Sequence, residues 1–299
     1  MEQVKSLVGP RHRPSSVGDG IPPSVFIGSS AIFHYLGPSL AVLLFVHIGV
    51  LGVAWLRIVT AALVFLCWRR PITTLRTMSP AGRRTMLALG VLLAAMNCAF
   101  YLATDRLPLA TVGAIEFLGV IVLALVGTRT SRNLAALLLA VAGVAVLTDA
   151  RWSVDPRGFA FAFLNCAGFM GYVVLGHRIA SAHEGRQTGI DQLAASMLIA
   201  ALVVTPFGIS QAATAFAHPT WLLWGAGVGV CSSVVPYVTD QLAMARLPRA
   251  TFAFLLCLLP ASATVIGLVV LHQVPGVRDV VGIAAVALAL AVHQDAAGS

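Results

Sequence analysis

Residues 97–120 read NCAFYLATDRLPLATVGAIEFLGV and are the most informative stretch of the chain. Two apolar runs meet at the polar corner Asp105–Pro108, and Glu116 stands in the middle of the second run. Gly113, Glu116 and Gly119 recur every three residues, so they share one side of a helix. Glycines let membrane helices approach closely, and a carboxylate is too costly to face lipid. The pattern predicts the inward face of a packed transmembrane helix.

The composition is that of an all-α integral membrane protein. Hydrophobic residues make up 59% and charged residues 10% of the 299 positions, whereas soluble domains have about 25% charged residues. The apolar runs have the length of membrane helices, not of barrel strands, and predict ten transmembrane helices. The predicted spans are residues 23–46, 49–68, 85–103, 108–128, 133–149, 158–180, 188–208, 220–243, 250–271 and 279–294.

The basic residues predict the orientation of these spans. Fourteen of the nineteen Lys and Arg residues fall in the N-terminal tail or in the loops on the same side of the membrane. Such an excess marks the cytoplasmic side, so both termini are expected there. Residues 1–22 are polar and proline-containing, and they predict a disordered cytoplasmic tail. Because the positive charge is spread over loops as a topology signal, we expect no nucleic-acid partner.

A short motif occurs twice. Residues 102–111, LATDRLPLAT, match residues 242–251, LAMARLPRAT, at seven of ten positions with an offset of 140 residues. The copies are five predicted spans apart, an odd number, so the second copy is inverted relative to the first. Inverted repeats are typical of alternating-access transporters, whose substrate site lies near the midplane. The sequence predicts two inverted five-helix repeats, residues 23–149 and 158–294; the alternative is a duplicated membrane scaffold without transport.

The ten spans and the corner LPLATVGAIEF, residues 107–117, resemble the EamA-type drug/metabolite transporter superfamily. The resemblance is closest to its threonine/homoserine exporter group, in which Arg57 matches an arginine of the second span. Two positions that are usually acidic in that group are Leu259 and Gln273 here. The resemblance implies a secondary active exporter of small metabolites such as threonine or homoserine, in a bacterial inner membrane, and not an enzyme.

Arg57 and Glu116 are charged residues at similar predicted depth. Each lies eight residues past the outer end of its span, or roughly 12 Å at about 1.5 Å per residue. Glu116, the only carboxylate predicted deep in a span, would bind protons or a substrate ammonium group, or would form a structural ion pair with Arg57. Arg57 would bind a substrate carboxylate, or would neutralise Glu116 or backbone carbonyls.

Other polar side chains in the predicted spans complete the candidate site. We expect the asparagines to bond neighbouring helices or bind ligands, the tyrosines to pack or line a cavity, and the histidine to shuttle protons or to be buried and satisfied. Three aspartates, Asp149, Asp191 and Asp240, lie near predicted span ends, where we expect water to solvate them. The remaining candidates are His34, Asn97, Tyr101, Asn165, Tyr172 and Tyr237.

The motifs narrow the function classes. The chain has no Walker-type GxxxxGK[ST], no GxSxG and no zinc-type cysteine spacing, so we expect no cofactor or metal and a proton gradient as the energy source. The alternatives are export of other solutes or cationic drugs and, in a different class, a lipid scramblase or membrane enzyme. The expected partners are a small-molecule substrate and membrane lipid, and both a monomer and a homodimer remain open.

The orientation gives a first testable prediction. In a chain whose five native cysteines are replaced by alanine, a cysteine at Thr77 should react with a membrane-impermeant maleimide only after the cells are permeabilised. A cysteine at Asp105, in a loop on the opposite side, should react in intact cells. Labelling of the Thr77 cysteine in intact cells would reverse the predicted orientation.

Overall fold

The computed structural model describes residues 22–127, 130–149, 155–181, 188–247, 252 and 258–292. The predicted disordered tail falls outside the described residues except for its last position, and so do the final four residues of the second repeat motif. The regular secondary structure of the described residues is entirely helical, which confirms the all-α class.

Five stretches of the described residues are long and apolar enough to cross a membrane, judged by length and composition. The helices are numbered in chain order. These stretches are α2, α4, α7, α8 and the continuous segment Pro219–Met244, and shorter apolar helices accompany them. The helices are α1 (Pro23–Leu44), α2 (Val50–Trp68), α3 (Pro71–Thr77), α4 (Pro80–Thr104), α5 (Leu109–Gly127), α6 (Ser131–Asp149), α7 (Pro156–Ser181), α8 (Gly189–Phe216), α9 (Pro219–Gly229), a π-helical turn (Val230–Val234), α10 (Val235–Met244), α11 (Leu258–Leu271) and α12 (Val277–Val292).

Capping residues, not hydropathy, decide where two of the long helices begin. The α4 helix begins five residues earlier than the apolar run predicts, because Pro80 occupies its first turn and Ser79 accepts a hydrogen bond from the Gly82 N–H at 3.1 Å. The α8 helix begins with a capping box between Thr188 and Asp191. The polar residues of the first α4 turn therefore place its start before the apolar run, whereas the start of the span predicted at residue 188 agrees with the structure.

Helix ends meet in two groups, which shows that the paired helices are antiparallel. Arg69 at the end of α2 lies 3.6 Å from Asp191 at the start of α8. At the opposite end of the molecule, the N–H of Leu109 at the start of α5 donates to the Gln273 side chain, beyond the end of α11, at 3.1 Å. The helices of each of these pairs therefore lie side by side and run in opposite directions.

Glycines mark the closest helix–helix contacts. A Cβ added to Gly113 would lie 2.9 Å from the Ala263 Cβ, and one added to Gly119 would lie 2.7 Å from the Met170 Cγ. Glu116, between them, is only 1% exposed. The prediction that these glycines and Glu116 form the inward face of α5 is confirmed.

Two irregular helices touch at their irregular segments. The α1 helix contains Gly37 and Pro38, and the segment Pro219–Met244 contains the π-helical turn. A Cβ at Gly37 would lie 2.7 Å from the backbone N of Ser232, so the backbones are nearly in contact. π-Helical turns are rare and frequently lie at functional sites. The cavity described below lies beside this contact.

The contact between α2 and α8 gives a prediction on stability. A Cβ at Gly52 would lie 2.7 Å from the Gln211 carbonyl carbon, a backbone atom, whereas a Cβ at Gly227 meets nothing within 4 Å. Gly52→Ala should destabilise the protein by about 1–3 kcal/mol despite the better helix propensity of alanine. Gly227→Ala should leave the melting temperature in detergent unchanged or raise it. Equal melting temperatures for the two variants would contradict this packing.

Candidate functional site

Glu116 lies buried where α1, α5 and α7 meet. Its Oε1 lies 3.1 Å from the Nε2 of His34, which forms an ion pair with it when protonated. Its Oε2 accepts a hydrogen bond from the Nδ2 of Asn165 at 2.6 Å. Both carboxylate oxygens therefore have partners, and three of the predicted site residues form one connected cluster.

Arg57 donates hydrogen bonds to the π-helical turn Val230–Val234. Its Nε donates to the Ser233 Oγ at 2.8 Å, its Nη2 donates to the Ser232 carbonyl at 2.7 Å, and its guanidinium lies 5.3 Å from the centre of the Tyr101 ring. Pro236 has no N–H, so the carbonyl four residues earlier, that of Ser232, lacks its usual helical donor. Within a membrane such a group must be satisfied by the protein, and Arg57 does this.

Arg57 and Glu116 do not pair with each other. Both residues belong to the described part of the chain, and each has other partners. Arg57 bonds Ser232 and Ser233 of the π-helical turn. Glu116 contacts His34 and Asn165. The alternative of a structural ion pair between Arg57 and Glu116 is therefore wrong. The expectation that Arg57 satisfies a backbone carbonyl is confirmed. Similar depth in two spans does not decide which way each side chain faces.

One cavity brings most of the predicted site together. The helices that border it include the two that carry the irregular segments. Pro38, Met96, Phe100 and Phe169 supply its apolar walls. The polar residues that line it are His34, Arg57, Asn97, Glu116, Asn165 and Tyr237. A cavity with both charges and an apolar wall suits a small amphipathic molecule.

Asn97 and Tyr237 connect the two halves of the chain. The Nδ2 of Asn97 donates to the Oη of Tyr237 at 3.1 Å, and it also donates to the Leu93 carbonyl at 2.7 Å. The two residues are 140 positions apart, which is the offset of the repeated motif.

Tyr101 and Tyr172 are buried outside the cavity lining. Tyr101 lies under the Arg57 guanidinium, and Tyr172 donates from its Oη to the Oδ2 of Asp240 at 2.9 Å. The ring centres of Tyr172 and Tyr237 are 5.3 Å apart. Tyr101 and Tyr172 therefore contact Arg57 and Asp240, respectively, and do not line the cavity.

Asp240 is a further functional candidate, which the sequence interpretation placed near a span end and left out of the predicted site. It is 1% exposed, and its Oδ1 accepts a hydrogen bond from the Ser30 Oγ at 2.5 Å. The expectation that water solvates Asp240 is wrong, because α1 and α7 pack over the end of α10, and Glu116 is not the only deep carboxylate. One available signal was its spacing of three residues from Tyr237, which puts both on one helix face.

Leu259 and Gln273, at the two positions that are usually acidic in the exporter group, do not line the cavity. The Gln273 Oε1 accepts from the backbone N–H of Leu109 at 3.1 Å and so caps α5. Leu259 is 1% exposed and belongs to the hydrophobic core. Both residues have structural environments here that require no charge.

Comparison with known proteins finds relatives that share one name. The chain is 33% identical over 240 residues to proteins named threonine/homoserine exporter RhtA from Escherichia coli strain K12 and Salmonella typhimurium strain LT2, covering 79% of this chain and 79% of each relative. It also resembles a solved crystal structure with a TM-score of 0.58 and 18% identity, covering 90% of this chain and 95% of that one, which supports the fold alone. No family model matches the chain.

The bond between Arg57 and the Ser232 carbonyl gives a prediction. Arg57→Met should lower the free energy of unfolding by about 1–3 kcal/mol, because it leaves a buried carbonyl without a donor. Pro236→Ala restores a backbone N–H, so the double variant should recover part of that loss in a thermal double-mutant cycle. Arg278→Met, at an exposed position, is the control. Strictly additive effects of the two changes would contradict the assigned role of Arg57.

Proposed function

This chain belongs to the family of RhtA-like threonine/homoserine exporters, and we propose that it exports small amino acids, chiefly threonine and homoserine. The relatives are named as exporters, not enzymes, in agreement with the expectation from sequence. The observation that carries the proposal is that Arg57 and Glu116 line one cavity without pairing with each other. An amino-acid zwitterion has the two opposite charges that such a cavity requires.

Each charge of the zwitterion has a partner in the cavity. The Arg57 guanidinium has five N–H donors, of which two bond Ser232 and Ser233, so others remain for a carboxylate. Glu116 receives the ammonium group, and His34 and Asn165 hold the Glu116 side chain in position. Charge-assisted hydrogen bonds of this kind are the strong ones in proteins.

The remaining lining supports a small substrate with a polar side chain. Asn97, Asn165 and Tyr237 offer donors and acceptors to a hydroxyl group, while Met96 and Phe100 contact carbon. A lipophilic cation has no carboxylate for Arg57, which lines the cavity. The geometry therefore favours amino acids over lipophilic cations.

We further propose ten transmembrane helices in two inverted repeats. The bond between Asn97 and Tyr237, at the offset of the repeated motif, supports this arrangement. The packing of helix pairs supports it as well. The second and seventh helices of the proposed ten, α2 and α8, pack together, and so do the fifth and tenth, α6 and α12. Contacts of α4 with α7 have their counterpart in contacts of α1 with α10.

The transport cycle that we propose is alternating access driven by the proton gradient across a bacterial inner membrane, with both termini in the cytoplasm. The absence of nucleotide-binding motifs from the sequence and the excess of basic residues in the predicted cytoplasmic loops support these assignments. The irregular segments of α1 and of the π-helical turn touch beside the cavity, as in transporters built on discontinuous helices.

The decisive experiment is uptake into inverted membrane vesicles. Labelled threonine and homoserine should accumulate when the vesicle lumen is acidic, whereas tetraphenylphosphonium should not, and a fluorescent phospholipid should not change leaflet faster than in empty vesicles. Glu116→Gln should lower threonine uptake at least about tenfold, because losing a charge-assisted bond costs about 1.5–3 kcal/mol. Asp105→Asn removes a carboxylate at an exposed corner and should transport normally.

Three results would count against the proposal. Uptake of the lipophilic cation instead of amino acids would favour a drug exporter, and accelerated lipid movement would favour a scramblase. Normal threonine uptake by a folded Glu116→Gln variant would remove Glu116 from the site.

A further inference from the structure

A second buried carboxylate, Asp240, lies outside the cavity. Its Oδ1 accepts a hydrogen bond from the Ser30 Oγ on α1 at 2.5 Å, and its Oδ2 accepts one from the Tyr172 Oη on α7 at 2.9 Å. The described residues include no Lys or Arg that forms an ion pair with it. Asp240 is thus a deep acid held only by hydroxyl groups.

These surroundings stabilise both charge states of Asp240. Two hydroxyl donors favour the ionised carboxylate, since each donates a hydrogen bond to it. Burial without a cation makes the ionised form costly, and a bound proton removes that cost. A group that takes up and releases a proton during transport must be able to exist in both forms.

The three helices that hold Asp240 also line the cavity. On each of these helices, a residue that lines the cavity lies a single helical turn from a residue at the Asp240 site, so the two sites share their supports. The rings of Tyr172 and Tyr237 connect them further, at 5.3 Å between centres. A change in how these helices meet when substrate binds must therefore alter the hydrogen bonds of Asp240. The residue pairs are His34 and Ser30 on α1, Phe169 and Tyr172 on α7, and Tyr237 and Asp240 on α10.

The titratable groups around Asp240 come from several helices. Those that interact with it electrostatically are His34 on α1, Tyr172 on α7, Tyr237 on α10 itself and Glu116 on α5. The α8 helix also packs against α10. Its acidic residue Asp191 is at the first turn, where Arg69 lies 3.6 Å away. His34 thus contacts Glu116 and is close enough to Asp240 to act on it electrostatically.

On the basis of the proposed exporter function, we propose that Asp240 carries the coupling proton while Glu116 binds the substrate ammonium group. A proton from the outer side binds a carboxylate oxygen of Asp240 and is later released to the cytoplasm. The O–H bond of the carboxyl group is the only bond that forms and breaks. Asp240 is four residues from the end of α10 at Met244, about 6 Å along the helix axis, so the path for release is short.

The test uses the purified full chain in proteoliposomes with labelled threonine. An imposed gradient of one pH unit should let the unaltered protein accumulate threonine up to about tenfold for each coupled proton. Asp240→Asn should equilibrate threonine without accumulating it. Its threonine–threonine counterflow should continue and no longer depend on pH. Glu116→Gln should lose accumulation and counterflow together. Asp105→Asn is the matched acid-to-amide control and should behave like the unaltered protein.

Further variants separate proton binding from a structural role. Asp240→Glu keeps an ionisable group and should restore part of the accumulation that Asp240→Asn loses. Tyr172→Phe and Ser30→Ala each remove one hydroxyl donor, and they should shift the pH at which accumulation is half-maximal. Full accumulation by Asp240→Asn overturns the proposal. Loss of both accumulation and counterflow in Asp240→Asn and Asp240→Glu alike also overturns it, since Asp240 would then serve folding or substrate binding.

An infrared measurement keeps the two proposals distinguishable. If the unaltered protein transports none of the amino acids, the proposed function fails, yet the proton site still has a spectroscopic signature. The C=O band of a protonated carboxyl group should appear as the pH falls, remain in Asp105→Asn and be lost in Asp240→Asn. A band that is unchanged by Asp240→Asn overturns the assignment of the proton to Asp240.

Discussion

The organisation of this protein depends on the backbone carbonyl of Ser232 and the arginine that satisfies it. Pro236 removes the helical donor of that carbonyl, and no water is present in a hydrocarbon layer to replace it. Arg57 reaches across from α2 with bonds of 2.7 and 2.8 Å to Ser232 and Ser233. The irregular helix can persist in a membrane because this one side chain completes its hydrogen bonding, and the same guanidinium has donors left over for a ligand.

The irregular segments also explain why the polar side chains line one cavity. Regular helices bury their backbone and present side chains only, whereas Gly37 brings α1 against the backbone of Ser232. The cavity lies beside this contact and collects side chains from α1, α2, α4, α5, α7 and α10. Asn97 and Tyr237 then connect the halves of the chain at its centre. Arg57 and Glu116 do not pair there because Arg57 bonds Ser232 and Ser233, whereas Glu116 contacts His34 and Asn165.

Sequence reasoning located the candidate site better than it located the contacts. Intramembrane polarity and helical period placed six residues, including Glu116 and Asn165, that do line one cavity. The same reasoning estimated depth from chain position, which says nothing about rotation about the helix axis, so the pairing of Arg57 with Glu116 was wrong. The burial of Asp240 was not predicted because it comes from Ser30 and Tyr172, which are remote in sequence. The helix start at Ser79 is set by a cap that hydropathy does not detect, whereas the start near Thr188 was predicted correctly.

The π-helical turn has a consequence for insertions and deletions during evolution. A π-helical turn accommodates one more residue than an α-helical turn, and each residue of an α-helix rotates the chain by about 100°. Deleting one residue from Val230–Val234 would restore a regular helix of nearly the same hydropathy. Because the wider turn takes up the extra residue, Tyr237 would still face Asn97 after this deletion, and Asp240 would still face Ser30. Homologues that lack a single residue at this point would therefore keep the side chains that follow the turn and would lose the irregular backbone beside Gly37, whereas a deletion from the regular part of α10 would rotate the residues after it by about 100°.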